Sequence, residues 1–260
     1  MAFLPQAVGY LSYFFNAVNE HSLHTPFLYE LYTKVIKSSH LNGDYSEIEA
    51  LHKQLLKDKH NISLTEFGAG SSVNTNNKRS IGDIARNSLT SPKYSALFYR
   101  LIKYFNVRNI VELGTSFGIN SLYLAKYEAT NVYTFEGCTN TANIAKTNFE
   151  KVGATNIKVI EGNIDKTLSS FFDGSIKPDM VYMDANHRYA PTLQYFELIL
   201  KNNHNNTIVI IDDIHWSEEM SKAWKEICNH PEVTLSLDLN RCGILFFKND
   251  LSKQHFYLTF

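Results

Sequence analysis

Apolar and polar positions alternate in two different ways along the chain. In residues 1–79 the apolar side chains recur at helical spacing. Leu23, Phe27, Leu28, Leu31, Tyr32 and Val35 line one face, and Ile48, Leu51, Leu55 and Leu56 line another. Asn42-Gly43-Asp44 separates the two predicted helices as a turn. Residues 61–80 are polar and rich in Gly and Asn, which predicts a loop serving either as a lid or as a plain connector. The next helix has a clean start: Ser91 suits the N-cap and Pro92 the first helical position. Its apolar face is Tyr94, Leu97, Phe98, Leu101, Ile102 and Phe105, and Asn106 and Arg108 end it.

From residue 110 the pattern changes. Short apolar runs occur at Ile110–Leu113, Val132–Phe135, Ile157–Ile160, Met180–Met183 and Ile208–Ile211. Helical stretches lie among them at Asn120–Glu128, Thr141–Lys151, Thr192–Asn202 and Glu218–Cys228. Such alternation predicts a parallel sheet covered by helices on both faces, with right-handed crossovers. Near the end, Val233–Leu239 and Ile244–Phe247 are joined by Asn240-Arg241-Cys242-Gly243, which leaves no room for a helix and predicts an antiparallel hairpin. The expected division is a helical extension or lid at 1–79 and an α/β domain at 80–260.

Composition narrows the classes. With 44% hydrophobic and 20% charged residues in 260, the chain has globular rather than disordered character. A net charge of −1 gives no general grip on nucleic acid. No run reaches the roughly 18 apolar residues of a membrane helix. Cys138, Cys228 and Cys242 have no CxxC spacing, so reduced thiols in a cytoplasmic protein are expected. Met1–Asn19 carries no charged side chain and lacks the basic start of a signal peptide. It reads as a segment that packs on a partner surface.

In open α/β sheets ligands bind beyond the carboxyl ends of the strands. Nearly every predicted strand tip carries an acid: Glu112, Glu136, Glu161, Asp184, and the pair Asp212-Asp213. The first tip has Gly114 and Gly118 but no GxGxxG. Glu112 beside it would repel a pyrophosphate and suit a cationic ligand. Glu136 suits the hydroxyls of a ribose. A ligand with ribose, adenine and a positively charged sulfonium fits better than NAD, and that ligand is S-adenosylmethionine.

The stretch Val111-Glu112-Leu113-Gly114-Thr115-Ser116-Phe117-Gly118-Ile119-Asn120-Ser121 resembles the first motif of class I S-adenosylmethionine-dependent methyltransferases, E/D-x-G-x-G-x-G, with Ser116 replacing the middle glycine. Gly162-Asn163-Ile164 resembles the third motif, which would place Asn163 near the adenine. The resemblance covers about residues 80–250. It implies a Rossmann-like seven-stranded sheet in the order 3-2-1-4-5-7-6, last strand antiparallel, with helices on both faces. The implied donor-binding residues are Glu112, Gly114, Thr115, Ser116, Gly118, Asn120, Ser121, Glu136, Gly137, Gly162, Asn163, Ile164 and Asp184.

Asp179–Tyr189 resembles the fourth motif of catechol and caffeoyl-CoA type O-methyltransferases. Those enzymes hold a divalent metal on an Asp and an Asp-Asn pair. The matching residues are Asp184, Asp212 and Asp213, the last an Asp where the pattern has Asn, and they would suit Mg²⁺, Mn²⁺ or Ca²⁺. The family's Lys base is replaced by His187, whose ordinary pKa near 6.5 suits proton acceptance, so Asp184 and His187 are the expected catalytic pair. Plainer roles stay open: Asp184 as a contact to the aminoacyl end of the donor or as a helix cap, and Asp212 and Asp213 as a loop acid and a cap. His215 is expected to contact substrate and Trp216 to wall the pocket. Arg188 and Tyr189 either bound the pocket or brace the loop, and His52, His60 and His204 are expected to be solvated.

The implied reaction is methyl transfer to the hydroxyl of a small molecule, with N-methylation a close variant. No (D/N)PP(Y/F) motif points to a nucleic acid base, and neither nucleic acid nor membrane is an expected partner. The alternatives are a member that binds S-adenosylmethionine or a metal without methylating, like the cephalosporin-hydroxylase type, and an NAD-dependent oxidoreductase. The N-terminal helices are expected to form either a lid or the interface of a homodimer.

Overall fold

Helices α1 (Phe3–Asn16) and α2 (Pro26–Leu31, continued by a π-helical turn at Tyr32–Ile36) open the chain. Next come α3 (Ser46–Lys57), the strands β1 (Asn61–Ser63) and β2 (Lys78–Ser80), α4 (Ile81–Asn87) and α5 (Pro92–Phe105). Strands and helices then alternate: β3 (Asn109–Leu113), α6 (Ile119–Ala125), β4 (Asn131–Glu136), α7 (Thr139–Val152), β5 (Ile157–Glu161), α8 (Ile164–Phe172), β6 (Met180–Met183), α9 (Tyr189–Leu200), β7 (Ile208–Ile211) and α10 (Glu218–Asn229). β8 (Leu235–Asp238), β9 (Gly243–Phe246) and β10 (Gln254–Tyr257) complete it. This computed structural model describes residues 3–38, 43–65, 78–87, 89–174 and 176–260. They group into two units, residues 39–167 and residues 1–38 with 168–260.

In the unit of residues 39–167, β3, β4 and β5 are parallel, with β4 in the middle. This is the predicted 3-2-1 half of the sheet. Phe117, Ile119, Leu122 and Tyr123 form its core with Phe149 of α7. Ile48, Leu51 and Leu55 of α3 and Ile81 and Ile84 of α4 close over that core. The apolar stripe predicted for α3 is therefore a packing face of this unit. Ser91 takes the N-cap position of α5, although its side chain caps no backbone N–H, and Asn106 ends the helix in a left-handed conformation (φ 52°). Asn61–Ser63 and Lys78–Ser80 pair as antiparallel strands within the stretch expected to be loop. The Gly- and Asn-rich part proposed as a lid, residues 66–77, lies outside the described residues, as does Asn42 of the predicted turn.

In the other unit the order is β6-β7-β9-β8-β10. β6 and β7 are parallel, and β9 runs antiparallel to both β7 and β8. This is the predicted 4-5-7-6 half, hairpin included. Gly243 opens β9 because a Cβ there would overlap the Trp224 indole. β10 was not anticipated: it adds to β8 in parallel. Its far edge is covered by the start of the chain. Val18 N–H donates to Tyr257 O at 2.8 Å, Thr259 N–H donates to Val18 O at 3.1 Å, and Tyr13 O–H donates to Leu258 O at 2.8 Å. The expected extension at 1–79 is thus divided, 1–38 grouping with this unit and 39–79 with the other. α1 turns Tyr10, Leu11, Phe14 and Phe15 outward. No helix among the described residues is long and apolar enough to cross a membrane.

Candidate active site

The turn after β3 is built from alternating left-handed residues: Gly114 (φ 99°), Ser116 (φ 49°) and Gly118 (φ 77°). An L-residue there costs roughly 1–2 kcal/mol, which explains why the spacing calls for glycine and what Ser116 tolerates. Ser116 N–H donates to Glu136 Oε2 and Cys138 N–H to Glu136 Oε1, each at 2.9 Å. One carboxylate therefore ties the loop after β3 to the loop after β4. Burial pushes Glu136 above the ordinary carboxylate range, while the N–H groups of Cys138, Ser116 and Gly137 pull it back. A carboxylate has about four lone-pair sites, so Glu136 keeps acceptor capacity for a ligand. Gly162 (φ 125°) turns the chain at the tip of β5, and its N–H donates to Glu136 O at 2.9 Å. Next to it, Asn163 Oδ1 accepts from Asp165 N–H at 3.0 Å at the start of α8, where Ile164 is the first residue.

Glu112 is placed differently from its reading as an acceptor for a cationic ligand. It is completely buried. It accepts from Asn120 Nδ2 at 2.9 Å, from Thr134 Oγ1 at 2.7 Å and from the Ser121 hydroxyl. Thr115 Oγ1 lies 2.6 Å from Thr134 Oγ1. Glu112, Thr115, Asn120 and Ser121 thus brace the turn from below, in a buried network whose members satisfy one another.

Gly118 is the tightest point of the turn. A Cβ there would overlap the Phe149 ring and lie 3.3 Å from Ala145 Cβ. Gly118→Ala is expected to destabilise the protein by roughly 1–3 kcal/mol through overpacking. Urea denaturation checks it, and an unchanged midpoint would contradict the packing described.

In the unit of residues 1–38 and 168–260, the tips of β6 and β7 bring Asp184, His187 and Asp213 together. One oxygen of each carboxylate and one ring nitrogen of the histidine all lie within 4.8 Å of one another. His187 Nε2 is 3.3 Å from Asp184 Oδ1. Asn186 (φ 69°), His187 (φ 46°) and Asp213 (φ 53°) are all left-handed, and such strained non-glycine positions concentrate at functional sites. Trp216 stands beside this group with its ring centroid 5.9 Å from that of His187.

Asp212, expected as a third metal ligand, is not in that group. It is completely buried. Arg241 Nε donates to its Oδ1 at 3.1 Å, Arg241 Nη2 to its Oδ2 at 3.0 Å, and Tyr182 O–H to its Oδ2 at 2.7 Å. The physical reason is charge: an acid sealed from water requires a cation, and the hairpin turn supplies one. Arg241 Nε also lies 3.8 Å from Asp213 Oδ1.

The protonation of the group differs from expectation as well. Burial by itself would lower the His187 pKa, but the hydrogen bond and charge of Asp184, with Asp213 and Asp212 behind it, raise it to about 9. Burial first, then Asp212 and Asp184, push Asp213 up to about 7 against the pull of His187 and Arg241. With no cation bound, these acidic neighbours favour the protonated form of His187. Both groups have folded values above their unfolded ones, and both work in the same direction on stability. The contribution of His187 is fully present below pH 6.5 and is lost as pH rises through about 9. That of Asp213 is present below its ordinary 3.8 and is lost through about 7. Melting temperature of the chelator-treated protein is expected to fall from pH 6 to pH 9, with the upper part of the fall flattened in His187→Gln. A flat wild-type profile over that range would contradict the ion pairing.

Residues 111–214 match the family model described as a methyltransferase domain. Over this stretch the chain is similar to methyltransferases. The likeness to class I S-adenosylmethionine-dependent methyltransferases of the small-molecule branch holds in sequence and in fold. A catechol O-methyltransferase from Niastella koreensis is 25% identical over 128 residues, which span 48% of this chain and 57% of that protein. The O-methyltransferase TomG from Streptomyces achromogenes, of tomaymycin synthesis and solved with S-adenosylmethionine, has the same fold. Its TM-score is 0.59 at 16% identity, over 83% of this chain and 95% of that one. An O-methyltransferase from Bacillus cereus in complex with S-adenosylhomocysteine aligns at a TM-score of 0.54 and 21% identity, over 61% of this chain and 83% of that one.

Other residues singled out in the sequence settle into local roles. His215, read as a substrate contact, is bound to buried Asp238 (Nε2 to Oδ2, 2.8 Å). Gly9 of α1 sits against it, so close that a Cβ on Gly9 would come within 2.7 Å of His215 Cβ. Tyr189 braces the loop: its N–H donates to Glu219 at 2.9 Å, its hydroxyl to Glu226, and Lys222 Nζ lies 4.3 Å from the ring centre. Arg188 is the N-cap residue of α9. His60 pairs with Asp58 and His204 with Asp179, whereas His52, expected to be solvated, buries its Nε2. Arg241 and Tyr182 were missed as site residues. Their only sequence signals are an Arg in a hairpin turn and a Tyr inside an apolar run. All three cysteines are free thiols.

Proposed function

We propose that this protein transfers a methyl group from S-adenosylmethionine to a hydroxyl of a small molecule, assisted by a divalent cation. The observation that carries the donor assignment is the left-handed Gly114-Ser116-Gly118 turn tied through its backbone to Glu136. In this reading Glu136 accepts from the ribose hydroxyls, Gly114, Ser116, Gly118 and Gly137 let the donor approach the backbone, and Gly162, Asn163 and Ile164 border the adenine. The catechol O-methyltransferase relative supports a hydroxylated acceptor.

Asp184, His187 and Asp213 fit a cation in donor chemistry, two carboxylates and one imidazole on neighbouring loops. When bound, the ion would act as a Lewis acid that makes the acceptor hydroxyl easier to deprotonate. In the transfer the methyl carbon leaves the sulfonium sulfur as it bonds to the acceptor oxygen, and the hydroxyl proton leaves for solvent. No covalent enzyme intermediate is required, so positioning carries much of the rate. Trp216 would hold the acceptor beside the acids. A homodimer formed through the outward face of α1, and a cytoplasmic setting, belong to the same proposal.

The test is incubation with S-adenosylmethionine and a panel of catechols, phenols and aliphatic alcohols, read by mass spectrometry. The reading expects an acceptor that gains one methyl group, equimolar S-adenosylhomocysteine, and loss of both on chelation. Turnover that persists in excess chelator would remove the cation and leave the methyl transfer.

A further inference from the structure

The side chains that converge at the tips of β6 and β7 are two carboxylates and one imidazole, Asp184, Asp213 and His187. We infer that His187, not Asp212, is the third protein ligand, and that the site selects a cation that accepts imidazole nitrogen over Mg²⁺ or Ca²⁺. This inference rests on the cation-assisted reading above and specifies it further.

Three observations carry it. Both oxygens of Asp212 already accept from Arg241, one of them from Tyr182 as well, and the residue has no exposed surface. A cation could recruit it only by displacing the guanidinium from a buried carboxylate. His187, by contrast, brings its ring nitrogen to 3.3 Å from Asp184 Oδ1 and into the group that includes Asp213. The side chains of Asp184, His187 and Asp213 all retain some exposure, at 18%, 23% and 31%, so an ion can reach them. The resulting set is one nitrogen and two carboxylates. Mg²⁺ and Ca²⁺ are hard ions that take oxygen ligands. Imidazole shifts preference toward the later divalent metals, and Mn²⁺, which suits the two carboxylates and stands next above Mg²⁺ and Ca²⁺ in that series, serves as the paramagnetic probe. The position three residues after Asp184, where the family has a Lys base, would therefore hold a ligand in this chain.

The test uses Mn²⁺ on the full chain, with pulsed electron paramagnetic resonance to detect nitrogen bound to the metal. Wild type is expected to bind Mn²⁺ with the coupling of a single imidazole nitrogen. Mg²⁺ should displace it only in large excess. His187→Gln should abolish the coupling and weaken Mn²⁺ binding by more than the roughly 10–100-fold typical of losing an outer partner. Asp184→Asn should weaken Mn²⁺ while leaving the nitrogen coupling on whatever ion remains bound. Bound Mn²⁺ without nitrogen coupling, coupling that survives in His187→Gln, or displacement by equimolar Mg²⁺ would each overturn the inference. So would failure to bind Mn²⁺ at all. Titration of wild type and His187→Gln with S-adenosylhomocysteine separates these failures from failure of the donor site, because His187 is not among the implied donor residues.

Discussion

Arg241→Leu is expected to destabilise the protein by about 3–5 kcal/mol, the usual cost of leaving one member of a buried ion pair without its partner. Asp212 has no exposed surface, and burial together with Asp184 already pushes its pKa up. The guanidinium pulls it back down through its charge and its paired hydrogen bonds, with the Tyr182 hydroxyl adding to that pull. Without Arg241, Asp212 must either take up a proton or remain charged in an apolar setting. In a chain of this size, each kcal/mol shifts the melting temperature by roughly 2–4 °C. A fall of about 6–20 °C is therefore expected. Asp212→Asn in the same background should recover part of it, because the orphaned charge is then gone. A loss below about 1 kcal/mol, or no recovery in the double variant, would show that the pair does not hold the tips of β7 and the hairpin together.

The second large effect concerns the donor. Glu136→Ala is expected to weaken S-adenosylhomocysteine binding about ten- to a hundredfold, since hydrogen bonds to a charged acceptor contribute roughly 1.5–3 kcal/mol. The variant also leaves the N–H groups of Ser116 and Cys138 without their acceptor. Glu136→Gln, which keeps the shape and one acceptor oxygen, should fall between wild type and Ala. Isothermal titration at one temperature, with melting measured in parallel, separates lost affinity from lost folding. Unchanged affinity in Glu136→Ala would remove Glu136 from the donor site.

The strands were legible because each is a short apolar run that the sheet buries, and Met180–Met183 and Ile208–Ile211 fall where the pattern places them. β10 was not legible. Gln254–Tyr257 is half polar and only partly buried, and its pairing with β8 and Val18 depends on residues far away in sequence. Spacing marked the glycines of the turn after β3, and their positive φ gives the physical cause. Which acid faces a ligand and which is sealed inside was beyond sequence. Glu112 and Asp212 look like their neighbours along the chain, but their partners, Thr134 in one case and Arg241 in the other, come from other elements. The same holds for His187, whose raised pKa comes from three carboxylates gathered by two loops.

The most direct test of the donor assignment is calorimetric titration of the full chain with S-adenosylhomocysteine, with NAD as the control ligand. The account predicts saturable one-to-one binding of S-adenosylhomocysteine, weakened in Glu136→Ala, and no heat from NAD. No binding of S-adenosylhomocysteine, or binding of NAD in its place, would contradict it.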